Sequence, residues 1–400
     1  MTPVEEPAQS LHEALELVRL PSEGLVRRFM STRAAYLPGS DLKFPAEYTP
    51  PMVHKAAFGG HVYAQAALAV VRAWREIEDE KGTKASDRLD LHTITGYFTR
   101  PGIPNRPFLY TVTPLTSSRT FATLSVTAHQ PSESSTNPTH GSSDNNRFPP
   151  ADAHLPLPPQ PSFTALCSLK LPEPDSAGVS TQEPPPQQRF APLLSSRPPS
   201  AWPPVPPVDV TGMVELAGAD QAGRFPVAEM RKVDMRGYNE GRAVHERREL
   251  MLYRLRRPVL RLDVGGCGGR GEEKVEVKAE VGGDGGGGRG WDHDDANSHV
   301  VAHAYVADRN GLLLVGNHVG FGYSLARAAS LSYTFVVHVN AEQAVMREDE
   351  GDGWWVQEMF FPRTAAGRGV VESKIWSPLG VHVATEYQDG LVQGLEVGKL

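Results

Sequence analysis

Two histidines, His299 and His303, stand four residues apart, a spacing that on a helix turns both imidazoles to one face and can hold zinc. The Glu of an HExxH pattern is missing and no third ligand is in view, so the plainer reading is a pair of core histidines. Asp308 is a stronger candidate. A carboxylate where an apolar helical pattern ends can face a cavity and serve a water as general base. The run Asp308-Arg309-Asn310-Gly311 is equally an ordinary turn sequence. Gly59 and Gly60 open a long helical pattern, and a helix N-terminus offers free N–H donors to a developing oxyanion. The alternative is that these glycines merely let helix and sheet pack closely. The glycine run at residues 282–290 follows a charged stretch, not a buried strand, which argues against a phosphate cradle. No Gly-x-Ser-x-Gly elbow occurs, which argues against an α/β serine hydrolase.

Positioning these groups falls to two blocks of similar internal order. In the first, Val62, Ala66, Ala69, Val70 and Ala73 recur at helical spacing, which predicts a helix over residues 60–78. Strand-like runs follow at 91–99, 109–115, 121–129 and 163–169, with alternation such as Leu124-Ser125-Val126-Thr127. In the second, strands at 229–235 and 249–256 precede a shorter helix at 298–307. Strands then recur at 331–338, 354–361, 369–376 and 381–387. Strands that come in runs rather than alternating with helices indicate an α+β class.

The rest of the chain punctuates these blocks. Residues 1–40 read as a polar lead-in with one helical pattern at 11–18. Residues 131–161, rich in Ser, Asn and Pro, read as a flexible insertion at a hairpin tip. Residues 172–225 read as a Pro-rich linker, and 264–296 as a Gly-rich insertion. The expected domains are therefore 41–171 and 226–400. The net charge of −7 supplies no basic field for nucleic acid, and no apolar run reaches the length of a membrane span. Cys167 and Cys267 form neither a disulfide framework nor a zinc pair, consistent with a reduced compartment. The first residues lack the basic and apolar regions of a secretory signal. The last three, Gly398-Lys399-Leu400, come close to the Ser-Lys-Leu peroxisomal address, so peroxisome or cytoplasm is the expected location.

Several short stretches, in order, resemble the type II acyl-CoA thioesterases of bacteria and peroxisomes. They are Phe58-Gly59-Gly60-His61-Val62-Tyr63 and Tyr97-Phe98-Thr99-Arg100-Pro101-Gly102 in the first block. In the second they are Ala304-Tyr305-Val306-Ala307-Asp308-Arg309-Asn310, Ala329-Ser330-Leu331, Ala366-Gly367-Arg368-Gly369 and Tyr387-Gln388-Asp389-Gly390. The resemblance implies a double hotdog fold, two helix-wrapped antiparallel sheets paired into one. It also implies an acyl-CoA substrate, no metal or other cofactor, and a catalytic trio at Asp308, Ser330 and Gln388. Ser and Gln each donate and accept, which suits holding one water beside the carboxylate. The chain departs from the family pattern at His61, usually Gln, and at Ser332-Tyr333, usually Asp-His. Those changes bear on the substrate tunnel or on packing beneath the site. Gly59 and Gly60 are the candidate substrate-binding residues, and a homo-oligomer is a reasonable expectation. Two rival readings remain. A hotdog hydratase would share the Asp-x-Asn of Asp308-Arg309-Asn310 but lacks the Pro and later His here. A non-catalytic acyl-CoA-binding protein would bind the thioester without cleaving it.

Overall fold

The computed structural model describes residues 9–39, 56–136, 147–174, 178–211, 225–259, 293–347 and 351–395. Among these, one antiparallel sheet of twelve strands carries the fold. Helix α1 (Leu11–Ala14) leads into β1 (Leu17–Leu20) and β2 (Arg27–Ser31). Helix α2 (Gly59–Glu80) is followed by β3 (Asp90–Phe98), β4 (Leu109–Ser117), β5 (Phe121–His129) and β6 (Phe163–Lys170). Two short helices, α3 (Pro186–Arg189) and α4 (Ala191–Leu194), precede β7 (Ala228–Lys232) and β8 (Glu249–Leu255). Helices α5 (His293–Ala307) and α6 (Gly311–His318) come next. The last strands are β9 (Leu325–Val337), β10 (Trp355–Ala365), β11 (Arg368–Trp376) and β12 (His382–Gly394).

The strand order is β1-β2-β4-β5-β6-β3-β9-β12-β11-β10-β8-β7, and the two halves meet where β3 pairs antiparallel with β9. This is the double hotdog expected from the resemblance. Each half wraps its long helix, and the helices pack on each other beneath the shared sheet. Gly60 lets them approach: a Cβ there would lie 2.8 Å from the Tyr305 carbonyl oxygen of α5. The buried Asn297 of α5 ties the halves together. Its carbonyl accepts from Leu91 N–H at 2.7 Å and its amide donates to Asp90 at 2.7 Å.

Three stretches differ from the sequence expectation. The polar lead-in holds β1 and β2, which extend the sheet at one edge through β2–β4 pairing. The helical pattern at 11–18 ends early, after a capping box between Ser10 and Glu13. In the second block a further helix, α6, follows Asp308-Arg309-Asn310, where the sequence reads as a plain turn. The Pro-rich stretch is more than a linker: Phe190 to Trp202 pack on the outer face of the second half, and Val205, Val208 and Val210 join the main core. Phe190 and Trp202 join Val233, Leu250, Leu252, Trp354, Val356 and Trp376 in a separate core. Arg189 grips the buried Glu358 with two bonds of 2.7 and 2.5 Å. Prolines suit such a strap, since it runs across a face without needing sheet donors. Of the insertion at 131–161, the flanks are packed: Phe148 N–H donates to Thr32 O at 2.7 Å, and Asp152 is fully buried. Of the insertion expected at 264–296, residues 293–296 open α5, and the rest, with the last five residues of the chain, lies outside the described residues.

Because Trp202 is 2% exposed in that outer core, Trp202→Ala is expected to cost the protein about 3–5 kcal/mol. Denaturant unfolding checks it. A change below about 1 kcal/mol would mean that the strap contributes little to stability.

Candidate active site

Asp308 is aimed by the break between α5 and α6. Helix α5 ends at Ala307, and Asn310 takes a left-handed conformation with φ 60°, which Asn tolerates better than most residues. Its side-chain amide donates a hydrogen bond to Pro206 O at 3.1 Å. Gly311 then starts α6 with no side chain, and this is essential. A Cβ there would lie 2.2 Å from Gln388 Oε1. The chain can therefore turn sharply and leave the Asp308 carboxylate facing a cavity wall.

Ser330 reaches the same place through a bulge. On β9, Ser332 pairs with Asp389, and the next pair is Ser330 with Gly390, so Leu331 is an extra residue. Strand side chains alternate between faces, so without that extra residue Tyr333 and Ser330 would point oppositely. With it, both point inward. On β12, Glu386 and Gln388 are buried on this inner face. Gly390 accommodates the bulge, since a Cβ there would lie 2.6 Å from Ala329 O and 2.3 Å from Leu312 Cδ1.

These elements assemble a dense polar cluster. Gly60 N–H donates to Asp308 Oδ2 at 2.5 Å, and Gln388 Nε2 donates to Oδ1 at 2.6 Å and to Ser330 Oγ at 2.9 Å. The Tyr333 hydroxyl donates to Asp308 Oδ1, lies 2.8 Å from Ser330 Oγ and also meets Gln388 Nε2. The site draws on both halves, because Gly60 belongs to α2 and the others to the second block. The start of α2 also directs its positive dipole end at the carboxylate. Burial pushes the Asp308 carboxyl well above the ordinary range, against the opposing pull of Gly60 N–H, Gln388 and Arg309. Glu386, fully buried nearby, is pushed up by burial and by the Asp308 charge.

The structure thus brings together Asp308, Ser330 and Gln388. It changes one part of the sequence reading. The oxygen on which all three converge belongs to Tyr333, not to a water held among them, so the side of Asp308 left for a water is the cavity side. Sequence reasoning treated Tyr333 only as a departure bearing on the substrate tunnel or on packing beneath the site. Gly60 needs correction as well: it does not line the cavity, and its N–H is committed to Asp308. Gly59 does line it, and a Cβ there would lie 3.0 Å from Asp308 Oδ2. The cavity, of about 350 Å³, is walled by Phe58, Val62, Phe98, Phe108, Leu312 and Leu313, with Arg100 at its rim. His61, the other departure, is buried one residue along α2, and burial lowers its pKa to about 3. The histidine pair is structural. His303 lies 2.7 Å from both Tyr253 Oη and Ala344 O, and His299 Nδ1 accepts from Met346 N–H at 3.2 Å.

Two family models match the chain. The acyl-CoA thioesterase N-terminal domain matches residues 48–139, and the acyl-CoA thioesterase C-terminal domain matches residues 277–392. Together they span more than half of it. The chain belongs to the acyl-CoA thioesterase family. As a member it is a thioester hydrolase, and the matched segments contain Gly59, Gly60, Asp308, Ser330, Tyr333 and Gln388. Solved structures agree on the fold. The acyl-CoA thioesterase II TesB2 from Mycobacterium marinum is 18% identical, with 97% of this chain and 99% of that one covered and a TM-score of 0.53. A conserved protein of unknown function with a hot dog fold from Alicyclobacillus acidocaldarius is 12% identical, covering 96% and 98%, with a TM-score of 0.51. A putative thioesterase II from Thermobifida fusca is 14% identical, covering 97% and 98%, with a TM-score of 0.50. No curated protein sequence matches this thioesterase.

Gly311→Ala tests how the turn positions the amide. The clash falls on the far end of the Gln388 side chain, which can swing away, so folding should survive. Thioesterase turnover is expected to fall by about tenfold or more, as loss of one positioned polar group does, with little change in thermal midpoint. Unchanged turnover would show that Gln388 need not stand where it does.

Proposed function

We propose that this thioesterase hydrolyses fatty acyl-CoA to free fatty acid and CoA, by direct attack of a water for which Asp308 is the general base. One observation carries the reading: a carboxylate held by three hydrogen-bond donors stands at the wall of an apolar cavity. The apolar wall suits an acyl chain, and the polar cluster at one end suits the thioester.

In the proposed reaction the water oxygen bonds to the thioester carbon as its proton passes to Asp308. The carbonyl electrons move onto oxygen, and Gly59, at the first turn of α2 and lining the cavity, is the donor group best placed to meet that charge. Collapse of the tetrahedral intermediate breaks the C–S bond. The thiolate leaves and takes up the proton held by Asp308, so no acyl-enzyme forms. Ser330, which lines the cavity beside Asp308, orients the water. No step calls on a metal or other cofactor.

The pH dependence follows from the carboxyl. Asp308 acts as base only when ionised, so the rate rises with pH as its proton is lost. Burial raises its pKa, so this limb should lie above that of a free carboxylate. A kcat/KM profile that is flat down to ordinary carboxylate pH would count against Asp308 as the base.

The direct test is thiol release from a ladder of acyl-CoA chain lengths. The natural chain should release thiol, and Asp308→Asn should lose about 10²–10⁴-fold in kcat while still binding acyl-CoA. Binding by the natural chain without release at any length would leave the non-catalytic reading. Gly59→Ala serves as a companion. Its methyl enters the space beside Asp308 Oδ2, so kcat should drop although Ala suits a helix better than Gly.

A further inference from the structure

Tyr333 lies on the inner face of β9 and is fully buried. It does not line the cavity, so its hydroxyl reaches the polar cluster from the core side. Its ring is fixed. Phe98 meets it edge-on at 5.6 Å, Tyr63 lies at 5.3 Å, and Phe163 braces Phe98 at 4.7 Å. Opposite Tyr333 on β3 stands Gly96, where a Cβ would lie 2.4 Å from Phe163, so the missing side chain admits that ring. A phenol packed this firmly has one polar atom, and that atom donates to Asp308.

The reason a donor is needed there is electrostatic. An ionised carboxylate out of water is costly unless donors surround it. Several neighbours of Asp308 give little help. On the preceding helix α5 Tyr305 is neutral, its pKa raised by burial, and the adjacent Arg309 is the cation that favours the charged form. From α2, Tyr63 is likewise kept neutral by burial, and its hydroxyl has no hydrogen-bond partner among the described residues. From β12, Glu386 would repel a second charge and is itself driven towards its protonated form. Stabilisation of the charged form therefore rests on Arg309 and on three donors: Gly60 N–H, the Gln388 amide and the Tyr333 hydroxyl. Because Tyr333 stands behind the carboxylate, its bond leaves the cavity side of Asp308 open to water.

We infer that Tyr333 is a positioning residue of the hydrolytic site, whose hydroxyl holds the Asp308 carboxylate in its ionised, working form. The inference rests on the reading of Asp308 as general base. It excludes a nucleophilic role for the phenol, whose oxygen has no face on the cavity.

The experiment is the pH profile of kcat/KM for the natural enzyme, Tyr333→Phe, Tyr63→Phe and Asp308→Asn. Phenylalanine keeps the ring that the aromatic neighbours hold, so Tyr333→Phe should fold. Losing one hydrogen bond to a charged group should move its acid limb up by about one pH unit. On the acid side that is about a tenfold loss, while the alkaline plateau should stay within about threefold of the natural enzyme. Tyr63→Phe, which removes a buried hydroxyl without a partner, should leave the limb in place. Three results would overturn the inference: no change in Tyr333→Phe, an equal fall at every pH without a shift of the limb, or the same shift in Tyr63→Phe. If Asp308→Asn keeps full activity, the reading of Asp308 fails instead, and the two failures are thereby told apart.

Discussion

A carboxylate buried at the end of α5 sets the terms for the rest of this molecule. Asp308 is withdrawn from bulk solvent on all but its cavity side, so donors must come from protein, and they come from three elements far apart in the chain. Helix α2 must begin where its second residue can offer an N–H. Strands β9 and β12 must be neighbours, with a tyrosine and a glutamine turned inward. Each requirement restricts the fold: α2 and α5 must pack closely, which Gly60 allows, and the halves must pair through β3 and β9. The price is a carboxyl whose charge is poorly tolerated, yet a base near its own titration range is effective in proton transfer.

The two halves are alike in architecture and unlike in chemistry. Both supply a long helix wrapped by sheet, and both contribute to one apolar cavity. The polar groups come almost wholly from the second half, and the first gives the N-terminus of α2 and the aromatic support of Phe98 and Tyr63. This division makes the pairing of halves a condition of the site. Neither half alone could surround Asp308.

Much of this was legible in the sequence, and the failures have identifiable causes. The long helix shows plainly because its apolar residues recur at helical spacing, and β5 shows because Leu124-Ser125-Val126-Thr127 alternates. Strands β1 and β2 were missed because each is short, a helical pattern overlaps the first and the second opens on two arginines. Helix α6 was missed because Leu312, Leu313, Leu314 and Val315 are buried on every side, which leaves no amphipathic period to read. The strap carrying Trp202 was hidden by its prolines. At the site, Asp308, Ser330 and Gln388 emerged from resemblance to a family more than from their own chemistry. Tyr333 gave no functional signal. An aromatic residue in an alternating strand reads as core, and only the register beside Leu331 reveals that its hydroxyl meets a carboxylate.

That same bulge divides the molecule by its tolerance of length change. Connections at the edge of a fold can lengthen at little entropy cost. At Leu331 the reverse holds: removing a single residue from β9 would turn every side chain beyond it to the other face. A change of length is therefore tolerable at the periphery of this molecule, whereas the count of residues between Tyr333 and Ser330 cannot change without dismantling the site.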